Sequence, residues 1–213
     1  MTKTGSSHVS LATVLACGIH EIKNNFGRLQ VQLSQHIPPE HSAYSQIEQE
    51  IQHLGHQLSQ VLMLYKSHTG CYSLNQDDLE ILLLLKECQA RHPQLDILIS
   101  ADPNLLVFAD EYLLTNLLDT LVYNSQQAGA NQLTFDAVAV DEGIRIRIED
   151  NGPGFSTEQL ASVSLTTAGN ANGLGLQFAK ELLAAHKHAS RQGTISLANR
   201  AGQPGACIDL WLP

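Results

Sequence analysis

The sequence predicts an α+β protein: an N-terminal antiparallel helical hairpin that forms a dimeric four-helix bundle, followed by an α/β sandwich with a mixed sheet. Three observations lead there. Two apolar seams of helical period flank a Pro-Pro pair, two segments of strict alternation meet at a turn sequence, and helical runs interleave with short strands over the second half. The chain has 213 residues, 43% of them hydrophobic and 15% charged, enough to bury a core and unlike a disordered chain in composition.

The first seam runs through Leu15, Ile19, Ile22, Phe26, Leu29 and Leu33 in steps of 4, 3, 4, 3 and 4, a heptad pattern on one helix face. Ile37-Pro38-Pro39 ends it, because proline cannot continue a helix interior and restricts the residue before it. A second seam with the same steps follows at Ile47, Ile51, Leu54, Leu58, Val61 and Tyr65. One hairpin cannot cover so long a stripe by itself, and a second copy is the simplest cover, so a homodimer is expected. The small, polar stretch Ser67 to Ser73 reads as a linker, which divides the chain into residues 1–70 and 71–213.

Beyond the linker the pattern predicts a helix from Asp77 to Ala90, a strand from Leu95 to Ser100 and a long helix from Asp110 to Ala128. Two alternating strands, Leu133 to Val140 and Ile144 to Asp150, meet at Asp141-Glu142-Gly143, a hairpin turn. A Gly-rich stretch, a helix from Leu174 to Ala185 and the strands TISLAN and CIDLWL complete the chain.

Twelve Lys and Arg against 21 Asp and Glu give a formal charge of −9, which argues against an electrostatic grip on nucleic acid or anionic lipid. Between His92 and Ala179 only Arg145 and Arg147 oppose eleven acids, so this segment carries the whole imbalance. An anionic ligand bound there needs backbone amides or a metal ion. The longest nearly apolar run, Ile81 to Leu85, is far short of the roughly 20 residues of a membrane helix, so no membrane span is expected. Four scattered cysteines without a C-x-x-C pair, and a polar N-terminus without a signal-peptide core, lead us to expect a cytoplasmic protein.

Four elements carry chemistry. His20 follows the seam residue Ile19, with Glu21 beside it and Asn24 one turn on; an exposed imidazole next to a carboxylate can act as a nucleophile, although a polar helix face accommodates a histidine equally well. In EDNGPGF, Asp150 ends a strand and can accept from an exocyclic amine, while Gly152 and Gly154 let the backbone lie flat against a planar base; the same letters also spell a plain turn. AGNANGLGLQFAK opens a helix with Gly173 and Gly175, whose free amides and helix dipole suit a phosphate. Asn124, near the end of the long helix, offers a side-chain oxygen of the kind Mg²⁺ prefers. His53 and His56, at i and i+3 on the second helix, could bind a metal, but no acid stands nearby at ligand spacing.

In order and spacing these elements resemble the catalytic unit of a two-component sensor histidine kinase, a dimerisation and histidine-phosphotransfer hairpin followed by an ATP-binding domain of the kind shared with gyrase, Hsp90 and MutL. The resemblance implies that His20 accepts phosphate, that Glu21 serves as base and that Asn24 supports phosphatase activity. It makes Asn124 the magnesium ligand, fourteen residues after Asp110 and twenty-six before Asp150, and Asp150 the adenine-reading acid. Gly152 and Gly154 match the first glycine box, Gly173 and Gly175 the second. The pattern departs from the family at Asn25, Thr120 and Ala171, and in a lid from Phe155 to Asn170 without Lys or Arg. The implied partners are ATP, Mg²⁺, a second copy, a response-regulator receiver domain and a separate soluble sensor protein. A histidine phosphotransfer adaptor with a degenerate ATP-binding domain is the alternative, and an anti-sigma serine kinase of the same superfamily would have no use for the His20 hairpin.

Overall fold

The computed structural model describes residues 11–38, 41–68, 73–141, 143–164 and 173–213. The chain divides into two compact units, one ending at Tyr72 and the other running from Ser73 to Pro213. Among the described residues no helix is long and apolar enough to cross a membrane.

The first unit is two helices, α1 (Leu11–His36) and α2 (Ser42–His68), which fold back on each other. The break falls where the prolines require it: Ile37 N still donates to Leu33 O at 2.9 Å, after which His41 N closes a turn on Pro38 O, also at 2.9 Å. The seams split by heptad position. Leu33 is buried and Phe26, Ile51 and Leu58 are half-buried within the unit, whereas Ile22, Leu29, Ile47, Leu54 and Val61 remain 37–45% exposed. These five lie seven residues apart along each helix and form a second apolar stripe that one chain leaves open.

In the second unit the helix expected from Asp77 starts at Ile81; Gln76–Glu80 is instead a strand, β1, and the helix is α3 (Ile81–Arg91). β1 pairs antiparallel with β3 (Leu106–Asp110), in register from Gln76 opposite Asp110 to Glu80 opposite Leu106. QDDLE has no strand propensity of its own. Its conformation is set by a partner some thirty residues away, and Ile81 N extends the link by donating to Leu105 O at 3.1 Å.

The main sheet has the order β2-β4-β5-β9-β8, with β2 (Asp96–Ala101), β4 (Gln132–Val140), β5 (Gly143–Asp150), β8 (Thr194–Asn199) and β9 (Ala206–Leu212). β2 and β4 are parallel and the other pairs antiparallel, so the sheet is mixed as expected. Alternation decides its faces. Leu133, Phe135, Ile144, Ile146, Ile148 and Leu210 are buried on the inner face. The outer face carries a charge ladder in which Arg147 holds Asp209 with two bonds, 2.8 Å from Nε to Oδ1 and 2.9 Å from Nη2 to Oδ2.

Three helices pack with the sheet: α3, α4 (Glu111–Gln127) and α6 (Gly173–Ala185). Asp110 caps α4 by accepting from Leu113 N at 3.0 Å, and its second oxygen accepts from Asn75 N at 2.8 Å. Leu113, Leu114, Leu117, Leu118 and Leu121 then fall on the buried side of that helix. Within the segment expected to be a lid lies a short helix, α5 (Thr157–Ser164), started by a capping box: Ser156 Oγ accepts from Gln159 N, and Gln159 Oε1 accepts from Ser156 N. Residues 165–172, including Ala171, lie outside the described residues. A small hairpin, β6 (Lys187–His188) with β7 (Arg191–Gln192), follows α6.

His186, fully buried just beyond α6, joins that helix to β3. Its Nδ1 donates to Leu182 O at 2.9 Å, which leaves Nε2 to accept from Asp110 N at 3.0 Å. Both nitrogens are used only by the neutral ring. Burial depresses its pKa, outweighing the Leu182 bond and the charge of Asp110, which pull the other way. The unfolded chain therefore binds this proton more readily, so the stability is complete above about pH 6.5 and falls as the pH drops below that value. Denaturant melts at about pH 7.5 and 5.5 should show this loss, and His186→Gln should flatten it.

Candidate functional site

Asp150 is the last residue of β5 and is 5% exposed. Its Oδ1 accepts two backbone amides, Gly152 N and Ala206 N, each at 2.9 Å. Two bonds to one oxygen fix the carboxylate plane, and among the described residues they leave Oδ2 for another donor. The strand has to turn tightly here. A Cβ at Gly152 would lie 3.2 Å from Asp150 Oδ1, and Gly154 has φ +81, open to glycine at little cost.

Several residues that sequence reasoning passed over build this corner. Asn151 Oδ1 accepts from Asn131 N at 3.0 Å and Gln132 N at 3.1 Å, tying the turn to the loop between α4 and β4. Asn199, at the end of β8, brackets Phe155: its Oδ1 accepts from Phe155 N at 2.6 Å and its Nδ2 donates to Phe155 O at 2.9 Å. Arg200 Nη1 donates to Asp150 O at 3.2 Å while its Nε lies 3.3 Å from Glu149 Oε2. A base from outside the acidic segment thus sits behind the carboxylate, engaged by Glu149. An asparagine, an arginine and a glycine in ANRAGQPGA look like an ordinary β-turn in sequence, and only the pairing of β8 with β9 brings them to the turn that runs from Asp150 to Phe155.

The second corner is formed by α4 and α6. Thr120 and Asn124 are one turn apart on α4, and both face Gly175. A Cβ at position 175 would lie 2.8 Å from Asn124 Nδ2 and 3.2 Å from Thr120 Cγ2. Glycine is needed for this approach, and the half-buried Asn124 carboxamide lies against the first turn of α6. Gly173 is the first residue of α6, and its surroundings lie outside the described residues. Thr120 Oγ1 donates back to Asn116 O at 2.7 Å, so the hydroxyl standing at the departed position is spent on its own helix.

The two corners adjoin through the end of α4. Ser125, next to Asn124, accepts from Ala130 N at 3.0 Å, and a Cβ at Gly152 would lie 3.6 Å from Ala130 Cβ. An oriented buried carboxylate, an amide side chain at a helix N-terminus and glycine-lined backbone are thereby gathered at one end of this unit. That combination suits a ligand with a donor-bearing planar group and an anionic tail.

His20, Glu21 and Asn24 belong to the other unit. All three lie in α1; Glu21, Asn24 and the neighbouring Asn25 are exposed, and the side chain of His20 lies outside the described residues.

Residues 109–213 match the family described as Histidine kinase-, DNA gyrase B-, and HSP90-like ATPase. Sensor protein PfeS of Pseudomonas aeruginosa is 31% identical over 104 residues, which are 46% of this chain and 21% of that protein, so the match spans about a fifth of the relative. Among solved structures, the Acinetobacter baumannii histidine kinase AdeS aligns with a TM-score of 0.62 at 16% identity over 91% of this chain and 96% of its own. Full-length ShkA in complex with AMPPNP aligns with a TM-score of 0.66 at 22% identity over 93% of this chain and 45% of its own. At these identities the two structures establish a shared fold. Residues 109–213, which hold Asp150, Asn124 and the glycine corners, thus carry the match to a histidine kinase-, DNA gyrase B-, and HSP90-like ATPase domain, and the comparisons with sensor kinases support an ATPase unit of the histidine kinase type.

Proposed function

We propose that the protein is an ATP-dependent histidine kinase in which residues 71–213 bind ATP and residues 1–70 carry the acceptor, His20. The observation that carries this reading is Asp150: its Oδ1 is held by two backbone amides, which leaves Oδ2 to accept from an adenine amino group. In the transfer a ring nitrogen of His20 attacks the γ-phosphorus. The bond from that phosphorus to the β–γ bridging oxygen breaks, ADP leaves with the electron pair, and the ring proton passes to Glu21. The phosphoryl group then moves to an aspartate of a response-regulator receiver domain, and Asn24 is assigned to the reverse, phosphatase reaction at the same place. ShkA, a fold relative, was solved in complex with AMPPNP, which supports a nucleotide ligand for this chain.

The open stripe of Ile22, Leu29, Ile47, Leu54 and Val61 supports a homodimer, the second copy completing a four-helix bundle. A cytoplasmic setting and a separate soluble sensor protein fit the same reading. Asn124 would hold Mg²⁺ through its carboxamide oxygen, and the ion would supply the positive charge that the acid-rich segment lacks. Calorimetry tests this arrangement. Chelating Mg²⁺, or Asn124→Ala, is expected to weaken ATP by tenfold or more while adenosine changes by less than about twofold, since only the phosphates need the cation. Equal ATP affinity without the metal would contradict it.

A further inference from the structure

One cluster outside the nucleotide corners combines three metal-ligating groups at short range. Cys88 lies on the last turns of α3, His92 follows that helix four residues later, and Asp119 projects from α4. Cys88 Sγ is 3.5 Å from Asp119 Oδ1, and His92 Nε2 is 3.1 Å from the same oxygen. All three ligand atoms lie within 4.8 Å of one another.

These separations can be compared with those of a tetrahedral zinc site. With Zn–S near 2.3 Å and Zn–N or Zn–O near 2.0–2.2 Å, neighbouring ligand atoms stand about 3.3–3.6 Å apart. The two measured edges are within a few tenths of an ångström of that range. Closing the third, from Sγ to Nε2, requires a shift of no more than about 1.5 Å. His92 can supply it, since its ring hangs beyond the helix end and is 14% exposed.

We infer that Cys88, His92 and Asp119 form a site for a borderline-soft divalent cation, zinc by its ligand chemistry, that clamps the end of α3 to α4. A thiolate with an imidazole selects against Mg²⁺ and Ca²⁺, which take oxygen ligands, so this site and the proposed Asn124 site draw on different ions. As the metal–sulfur bond forms, the Cys88 thiol gives its proton to solvent. Entry is from the side of Asp119 and His92, 23% and 14% exposed, with the buried Cys88 as the floor. Three protein ligands leave the fourth tetrahedral position to water.

Arg91 competes for the same carboxylate, its Nε lying 3.0 Å from Oδ2 and 3.2 Å from Oδ1 of Asp119. A cation on Oδ1 leaves the Oδ2 bond in place. Arg91 then orients the ligating carboxylate from outside, as hydrogen-bonding partners do in zinc sites generally.

The test is titration of the purified full chain with Co²⁺, read by absorption. A tetrahedral thiolate site is expected to give visible d–d bands and a sulfur-to-cobalt charge-transfer band at one ion per chain, bleached by Zn²⁺. Cys88→Ser should abolish the charge-transfer band. His92→Gln, at a partly exposed position that tolerates change even if Cys88→Ser folds poorly, should weaken binding at least about 100-fold, since loss of a group that only hydrogen-bonds to a ligand already costs 10–100-fold. His188→Gln, on the exposed β6, should leave the titration unchanged. Absence of the bands in the wild type, or their persistence in His92→Gln at unchanged affinity, would overturn the assignment.

Discussion

Asp150→Asn is expected to weaken ATP and adenosine alike by about 10–150-fold, with little effect on folding. The substituted side chain keeps one oxygen, and that oxygen is needed by Gly152 N and Ala206 N, which both bond the present Oδ1 at 2.9 Å. The amide NH₂ is then forced to where Oδ2 stood and meets the adenine amino group donor to donor. Losing a hydrogen bond to a charged group costs about 1.5–3 kcal/mol, and 1.4 kcal/mol is tenfold in affinity. Calorimetry with both ligands, alongside a thermal melt, separates this from general damage. An unchanged adenosine affinity at a normal melting temperature would mean that Asp150 does not read the base.

Gly205→Ala should be the most damaging single methyl addition in the second unit. Gly205 has φ +135, and a Cβ there would lie 2.0 Å from Asp150 O and 2.6 Å from Arg200 Cδ. The obstacle is backbone at the end of a central strand, so neither side can yield without displacing Asp150. Strain at such a φ costs of order 1–3 kcal/mol and overpacking about 1–3 more, giving about 2–6 kcal/mol in denaturant unfolding. Gly202 provides the control: its φ is +76 but nothing lies within 4 Å of its Cβ position, so Gly202→Ala should cost only the backbone strain, about 1 kcal/mol. Equal costs at the two positions would contradict this account of the turn.

Elements whose periodicity reports their own burial were legible in the sequence. The seams of α1 and α2 announce the two helices, and the alternation of β4 and β5 and the apolar face of α4 state locally which side is covered. β1 is hidden from local pattern because QDDLE is a strand only through β3, and α5 announces itself only by the S-x-x-Q capping box at its start. The site divides the same way. Asp150, Asn124 and the glycines could be found from spacing, whereas Arg200 and Gly205 reach Asp150, and Asn199 reaches Phe155, only through the β8–β9 pairing. The cysteine count hid a signal too, since Cys88 and His92 stand at the four-residue spacing that brings two side chains to one helix face.

The most direct measurement of the central claim is incubation of the full chain with γ-labelled ATP and Mg²⁺, followed by tests of the label in acid and base. The account predicts label on the wild type, labile in acid and stable in base as a phosphohistidine is, and none on His20→Gln, which still binds ATP. Label persisting on His20→Gln would contradict it, and an unlabelled wild type that binds ATP would leave His20 without its assigned role.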